Sequence, residues 1–231
     1  MSETITFTVP DGAFSAYVAR PDHKNGPAVV VIQEIFGVNA VMRGVCDALA
    51  AQGYLAVCPD LFWRLEPGVD ITDQTQAEWD KALDLMGRFD VDQGVNDLQA
   101  VIAAVRDMPE CDGKVGTVGY CLGGKLAFLV ATRTDADASV SYYGVGLEPL
   151  LPEIESMTHP LLVHIAGEDG FTPPDSRQRV IKGLEHQPMV TVHVYPGRDH
   201  AFARPGGKHY DADDATLAEH RSLAFFKAYI G

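Results

Sequence analysis

The sequence predicts an α/β fold: a mostly parallel central sheet with helices on both faces. Two observations carry this. Short β-branched apolar runs alternate with helical stretches along most of the 231 residues, and the runs are continuously apolar, as in strands buried from both sides. A third is local, a strand-to-helix turn marked by closely spaced glycines at Gly119-Tyr120-Cys121-Leu122-Gly123. With no Pro/Gly/Ser-rich linker and no abrupt change of composition, residues 1–231 read as one domain.

Thr4–Val9 and Ala13–Ala19 form the expected opening hairpin. Strands are then expected over Ala28–Gln33, Tyr54–Cys58, Lys114–Val118, Ser139–Tyr143, Leu161–Ala166 and Val190–Tyr195. Val41, Val45 and Leu49 mark the inner face of a helix ending at Gly53. Val95, Leu98, Ile102 and Val105 mark a second, and Leu223, Phe226 and Ile230 the last, each at amphipathic spacing. Asp211, Asp213 and Asp214 fall where the last helix begins, and the helix dipole explains their charge better than a metal does. Residues Arg64–Thr75 combine turn signals with little periodicity, and a long loop in such a sheet often lines a site.

The formal net charge is -14 and the basic residues are scattered, which argues against nucleic acid as a partner. No apolar run approaches the ~18 residues of a membrane span, and Met1-Ser2-Glu3-Thr4 lacks the plan of a signal peptide, so a cytoplasmic protein is expected. Cys46, Cys58, Cys111 and Cys121 show neither CxxC spacing nor a disulfide framework, consistent with reduced thiols. His164, Glu168 and Asp169 are close in sequence but lack zinc-site spacing, and Gly123-Gly124-Lys125 lacks that of a P-loop. No metal and no cofactor are expected.

The glycines around Cys121 match a nucleophile elbow with cysteine in place of serine. Small neighbours suit a tight turn, and the start of a helix favours thiolate over thiol. The bland alternative is a buried cysteine between two turn glycines. If Cys121 attacks, an acid and then a histidine should follow in the chain. Asp169 stands in Gly167-Glu168-Asp169-Gly170 directly after one strand, and His200 in Gly197-Arg198-Asp199-His200-Ala201-Phe202 directly after another. Both turns belong at the carboxyl edge of the sheet, where open α/β folds bind ligands. Glu168 and Asp199 remain rival acids, although Asp199 adjoins His200 and neighbouring side chains rarely face each other well. Among the other histidines, His164 lies inside a strand and reads as a satisfied core residue. His186, His193, His209 and His220 fall in polar, strand or helical contexts, His159 precedes a proline, and His23 precedes the nucleophile.

Four segments in order, Gln33-Glu34-Ile35-Phe36-Gly37-Val38-Asn39, Gly119-Tyr120-Cys121-Leu122-Gly123-Gly124, Tyr142-Tyr143-Gly144-Val145-Gly146 and Gly197 to Arg204, resemble the dienelactone hydrolase (carboxymethylenebutenolidase) family over nearly the whole chain. The resemblance implies an α/β-hydrolase fold, a monomer, and Cys121, Asp169 and His200 as a triad. It implies opening of an enol-lactone such as 4-carboxymethylenebut-2-en-4-olide, or of a related activated ester, in the degradation of aromatic compounds. Backbone N–H groups of Leu122 and, by resemblance, Ile35 would hold the oxyanion. Glu34 would hydrogen-bond the resting thiol; its alternative is an ion pair with Arg43 or Arg204. Arg204 matches one of two arginines that hold the substrate carboxylate. At the place of the second stands Trp79, with Lys81 and Arg88 out of register, which suggests a more apolar pocket. Phe36, Tyr142, Tyr143, Phe171 and Phe202 either line that pocket or pack beneath it. The rival readings are a carboxylesterase or thioesterase with the same triad, and a thiol sensor on a hydrolase scaffold. A thioester intermediate suits an activated enol ester better than an amide, so no peptidase activity is expected.

Overall fold

The computed structural model describes residues 2–22 and 25–231; Met1, His23 and Lys24 lie outside the described residues. The backbone divides inside one strand into two compact units, residues 1–117 and 118–231.

The first unit opens with β1 (Ser2–Val9) and β2 (Gly12–Ala19), an antiparallel hairpin closed by Pro10-Asp11. Next come β3 (Gly26–Ile32), α1 (Ala40–Ala51), β4 (Leu55–Pro59), α2 (Gln76–Arg88), α3 (Val91–Arg106) and β5 (Cys111–Tyr120). The strand order is β1-β2-β4-β3-β5. β2 pairs antiparallel with β4, and β4 pairs parallel with β3. Ala28–Ile32 and Leu55–Cys58 have no exposed surface, the burial that their unbroken apolar runs require.

Each helix of this unit starts at a side-chain cap. Asn39 accepts from the N–H groups of Val41 and Met42, Thr75 from Glu78, and Asp90 from Asp92 and Gln93. Thr75 and Glu78 form a reciprocal capping box, since the Glu78 carboxylate accepts in return from the Thr75 backbone N–H, and from its hydroxyl as well. The inner face of α1 is Met42, Cys46 and Leu49, one residue round from the Val41–Val45 stripe that the sequence suggested. Val41 and Val45 are only half-buried, because a methionine and a cysteine do the packing that valines were expected to do. α3 buries Val95, Leu98, Ile102 and Val105 as expected.

Residues 64–75 lie along the turn after β3. Val38 N–H donates to the Val69 carbonyl, Ile71 N–H to that of Phe36, and Asn39 Nδ2 to that of Ile71. Gly37 has φ 77°, and a Cβ there would lie 1.9 Å from the Val69 oxygen, so only glycine allows this approach. Asp60 holds the loop's base by accepting from Phe62 and Gly68.

The second unit continues from the end of β5 through α4 (Leu122–Arg133), β6 (Ala138–Tyr142), β7 (Leu161–Ala166), α5 (Pro174–Leu184), β8 (Val190–Tyr195) and α6 (Ala212–Tyr229). β5, β6, β7 and β8 lie in that order, with β6, β7 and β8 parallel. α4 buries ten of its twelve residues, which makes it an interior helix packed on β6. Asp211 caps α6 by accepting from Asp214 N–H, and Asp213 and Asp214 occupy its first turn, as the dipole argument expected. Of the expected stripe at the end of the chain, Phe226 and Ile230 are buried and Leu223 only half, with Phe225 buried beside them.

Two helical segments have no counterpart in the sequence expectation, a 3-10 stretch over Glu148–Ser156 and α5. In α5 only Val180, Ile181 and Leu184 are buried, and the other positions are polar enough to hide the period. The proline at its start, a good N1 residue, was the available signal.

Candidate active site

The second unit brings Cys121, Asp169 and His200 together. Cys121 lies between the last residue of β5 and the first of α4, with φ 57° and ψ -113°. That conformation is sparsely populated for a residue with a Cβ and costs about 1–3 kcal/mol. The neighbouring backbone enforces it. A Cβ on Gly119 would lie 1.9 Å from the Gly123 oxygen, and one on Gly124 would lie 2.4 Å from that of Tyr142. Cys121 N–H donates to the Tyr142 carbonyl at 3.1 Å, and its own carbonyl accepts from Lys125 at 3.1 Å as the first bond of α4. The thiol makes no cap bond to the helix and is left for other chemistry. Leu122 N–H belongs to the first turn, where a helix leaves its donors unpaired and its dipole is positive.

Asp169 lies on the turn between β7 and α5. Its Oδ1 accepts from Phe171 N–H at 2.8 Å, and its Oδ2 faces His200 Nδ1 at 2.9 Å. Of the rival acids, Glu168 is exposed and Asp199 directs an oxygen at the backbone N–H groups of Gly170 and His200. His200 is 6 % exposed. Burial opposes its charging, but hydrogen bonds to Asp169 and Cys121, and the charges of both, outweigh burial and push the imidazole up to about 10. Tyr143 and Phe171 shield the ring edge-on, with centroids 5.1 and 4.7 Å away. The arrangement can exchange a proton between imidazole and thiol while a carboxylate fixes the ring.

The expected substrate contacts divide. Arg204 shares the His200 loop and is 9 % exposed, folded close to Gly207. Tyr142 is corrected to a core residue. Its ring stacks on Tyr120 and lies 4.3 Å from His164, its hydroxyl bonds Ser222 at 2.7 Å, and only its carbonyl reaches Cys121. Phe202 is fully buried, whereas Phe171 is 55 % exposed beside His200. His164 is a satisfied core residue, bonded to Ser222 and to the Tyr195 hydroxyl, and burial holds its pKa well below the ordinary value.

Glu34, Ile35, Phe36 and Trp79 belong to the first unit. Glu34 and Ile35 follow β3 and are buried, 1 % and 3 % exposed. Gln33 braces this turn by donating to the Glu34 carbonyl and accepting from Leu61 N–H. Arg43, one suggested partner of Glu34, donates to Asp70 and to the Val38 carbonyl. Trp79 meets Phe36 edge-on at 5.1 Å and donates its Nε1 to the Asp73 carbonyl at 2.9 Å. Lys81 pairs with Glu66, and Arg88 with Asp84. Sequence reasoning missed Arg177, whose Nη1 donates to the carbonyls of Asp169 and Thr172. It sits on the unrecognised α5, so nothing tied it to the acid.

A mostly parallel eight-stranded sheet flanked by helices, with a cysteine on the strand-to-helix elbow after β5, defines an α/β-hydrolase. The sequence pattern of the dienelactone hydrolase family matches residues 14–230. A relative from Azospirillum brasilense, provisionally named carboxymethylenebutenolidase, is 53% identical with 96% of each chain covered. The carboxymethylenebutenolidase of Pseudomonas putida is 45% identical, over 97% of this chain and 96% of that one. A crystal structure from Klebsiella pneumoniae, provisionally named dienelactone hydrolase, has a TM-score of 0.84 at 28% identity, covering 99% of this chain and 100% of that one. The chain therefore belongs to the dienelactone hydrolase family and is a hydrolase of ester or lactone bonds.

Among the described residues no group of histidine, cysteine and carboxylate side chains is placed to hold a metal, and no helix is long and apolar enough to cross a membrane.

Proposed function

We propose that the protein opens an enol-lactone of the dienelactone type, or a closely related activated ester, with Cys121 as nucleophile, in the breakdown of aromatic compounds in the cytoplasm. The observation that carries this reading is the hydrogen-bonded series Asp169, His200, Cys121 at a strained elbow. Cys121 thiolate attacks the carbonyl carbon, forming a C–S bond, and the oxyanion is held by Leu122 N–H. By family resemblance Ile35 N–H is the second donor, and Glu34 holds the thiol at rest. Losing one such donor typically costs about 3 kcal/mol in the barrier. Collapse breaks the ring C–O bond, and the tethered enolate leaves readily because it is resonance-stabilised. It takes the proton from His200. The imidazole then accepts a proton from water as water attacks the thioester, the C–S bond breaks, and the thiolate returns.

Trp79 favours a second reading with the same triad, a carboxylesterase or thioesterase for less charged substrates. Its indole N–H is bonded to the Asp73 carbonyl, and no cation stands in its place to hold a carboxylate. A steady-state panel of cis-dienelactone, a p-nitrophenyl ester and an acyl-CoA, run on wild type and Cys121→Ala, separates the readings. Preference for dienelactone is expected, with a loss of about 10⁴-fold or more in the variant. Turnover confined to aryl esters supports the second reading, and full activity of Cys121→Ala overturns the nucleophile in both. Trp79→Arg is expected to raise the rate on dienelactone relative to neutral aryl esters; an unchanged ratio removes Trp79 as the selector.

A further inference from the structure

Asp199 precedes His200 directly, and its carboxylate does not approach that residue's imidazole as Asp169 does. One oxygen, Oδ1, instead accepts two backbone N–H groups from two different loops, Gly170 at 2.8 Å and His200 at 2.6 Å. Gly170 follows Asp169, so a single atom joins the residue after the acid to the base itself. The other oxygen, Oδ2, faces His209 Nδ1 at 3.3 Å, and the same ring nitrogen lies 3.3 Å from the His200 carbonyl. Burial alone would raise the Asp199 pKa. The two N–H groups and the neighbouring imidazoles of His209 and His200 outweigh it and hold the carboxyl below its ordinary value, so it is a carboxylate at working pH.

The loops that carry Asp169 and His200 are tied at their base by backbone bonds, Gly167 N–H to Tyr195 O at 2.8 Å and Glu168 N–H to Arg198 O at 2.7 Å. These continue the β7–β8 ladder and end one residue short of Asp169 and two short of His200. From there outward Asp199 closes the gap between the loop tips. We propose that Asp199 is a positioning residue, a clip whose Oδ1 sets the separation of Asp169 and His200 and so keeps the imidazole on its acid. The inference rests on the triad of the proposed function and adds to it a residue that touches no reacting atom. The groups facing His200 are then Cys121, Asp169 and Asp199, with His209 behind Asp199.

The test compares Asp199→Ala with Asp199→Asn. The amide keeps an oxygen that can accept both N–H groups, whereas alanine keeps none. Two quantities are read: kcat and KM on p-nitrophenyl acetate, and the low-field proton resonance of His200 Nδ1–H, assigned by its loss in His200→Gln. In Asp199→Ala, kcat is expected to fall roughly 10- to 100-fold, the usual consequence of a misplaced catalytic group. KM should stay within about twofold, and the resonance should move upfield or broaden away. Asp199→Asn is expected to recover both readouts to within about threefold of wild type. If Asp199→Ala does not fold, Asp199→Ser replaces it, since a short hydroxyl cannot span both loops. Wild-type kcat with an unmoved resonance in the alanine or serine variant overturns the clip. So does an asparagine variant as impaired as alanine, which would make charge and not bridging the cause. If the wild type hydrolyses no ester, the resonance still reads the clip, and the failure belongs to the proposed function.

Discussion

The turn that carries Cys121 and the two loops that carry Asp169 and His200 belong to the same unit but are held by different physics. Around Cys121 the constraint is excluded volume. Gly119 and Gly124 sit where a Cβ would lie 1.9 and 2.4 Å from backbone oxygens, and the helix that follows is interior. Around Asp169 and His200 the constraint is a small set of polar contacts on segments that are exposed at Glu168, Gly170, Phe171, Pro196 and Gly197. Arg177 holds the Asp169 and Thr172 carbonyls, Asp199 joins the loop tips, and Arg198 is drawn to Asp211 and Asp214 at the start of α6. Close packing resists small displacements steeply, whereas each polar contact contributes about 1 kcal/mol and depends on charge state. The Cys121 thiol should therefore be the fixed point of the site, and the Asp169–His200 pair the part that substitutions and pH can move.

The sharpest way to break that contrast is to add one carbon at the elbow. Gly119→Ala has no relaxed solution, because its Cβ meets the main chain of Gly123 and not the end of a flexible side chain. A stability loss of about 3 kcal/mol or more is expected, read as a urea midpoint, together with near-complete loss of turnover. Gly146→Ala is the control. Unlike Gly119 it has positive φ, 65°, but a Cβ there meets nothing within 4 Å, so only backbone strain of about 1 kcal/mol is expected. Equal effects at the two glycines would show that excluded volume does not govern the elbow.

What could be read in the sequence follows the same division. Glycine spacing around Cys121 reports sterics directly, because a side chain at Gly119 would meet the main chain of Gly123 only four residues on. Strand-then-turn placement located Asp169 and His200 for a related reason: the carboxyl ends of parallel strands share one edge. The stripe of α1 was misplaced by one residue because Val41 and Val45 stand directly before Met42 and Cys46, so two adjacent apolar stripes fit the same spacing. The clip at Asp199 and the brace at Arg177 could not be seen. The clip links loops separated in sequence, which only the register of β7 on β8, Ala166 beside Tyr195, brings level, whereas Arg177 reaches carbonyls eight and five residues before it and was hidden with α5. Tyr142 was misjudged because its main chain reaches Cys121 while its side chain runs inward to Ser222.

A second test varies pH. Folding raises the His200 pKa from the ordinary 6.5 to about 10, so the folded state holds this proton more tightly than the unfolded chain does. The resulting stability is fully present below about pH 6.5, and it is lost as pH rises through about 10. The difference in urea midpoint between wild type and His200→Gln is therefore expected to be large at pH 6 to 7 and to shrink steadily toward pH 10. A difference that stays constant or grows across that range would mean that the imidazolium is not the stabilised form. Gly119→Ala carries no such pH signature if packing alone holds the elbow.

The smallest expected effect is at Arg177. Its Nη1 reaches the Asp169 and Thr172 carbonyls at 3.3 and 3.2 Å, at the long end of the hydrogen-bond range, where the bonds are weak. Asp169 keeps its side-chain bonds to Phe171 N–H and His200 without it. The guanidinium also borders a cavity of about 20 Å³ shared with Tyr143, Leu147, Val163 and Val180, an apolar wall that a methionine side chain can extend. Arg177→Met is expected to lower kcat by no more than about threefold to fivefold, with stability within about 1 kcal/mol of wild type. The informative quantity is its rank against Asp199→Ala. A carboxylate that receives two N–H bonds at 2.8 and 2.6 Å should matter more than a cation with two long contacts to carbonyls. If Arg177→Met proves the more damaging of the two, the acid loop is held from α5 below and not from the tip of its neighbour, and the mobile element of the site is the His200 loop alone.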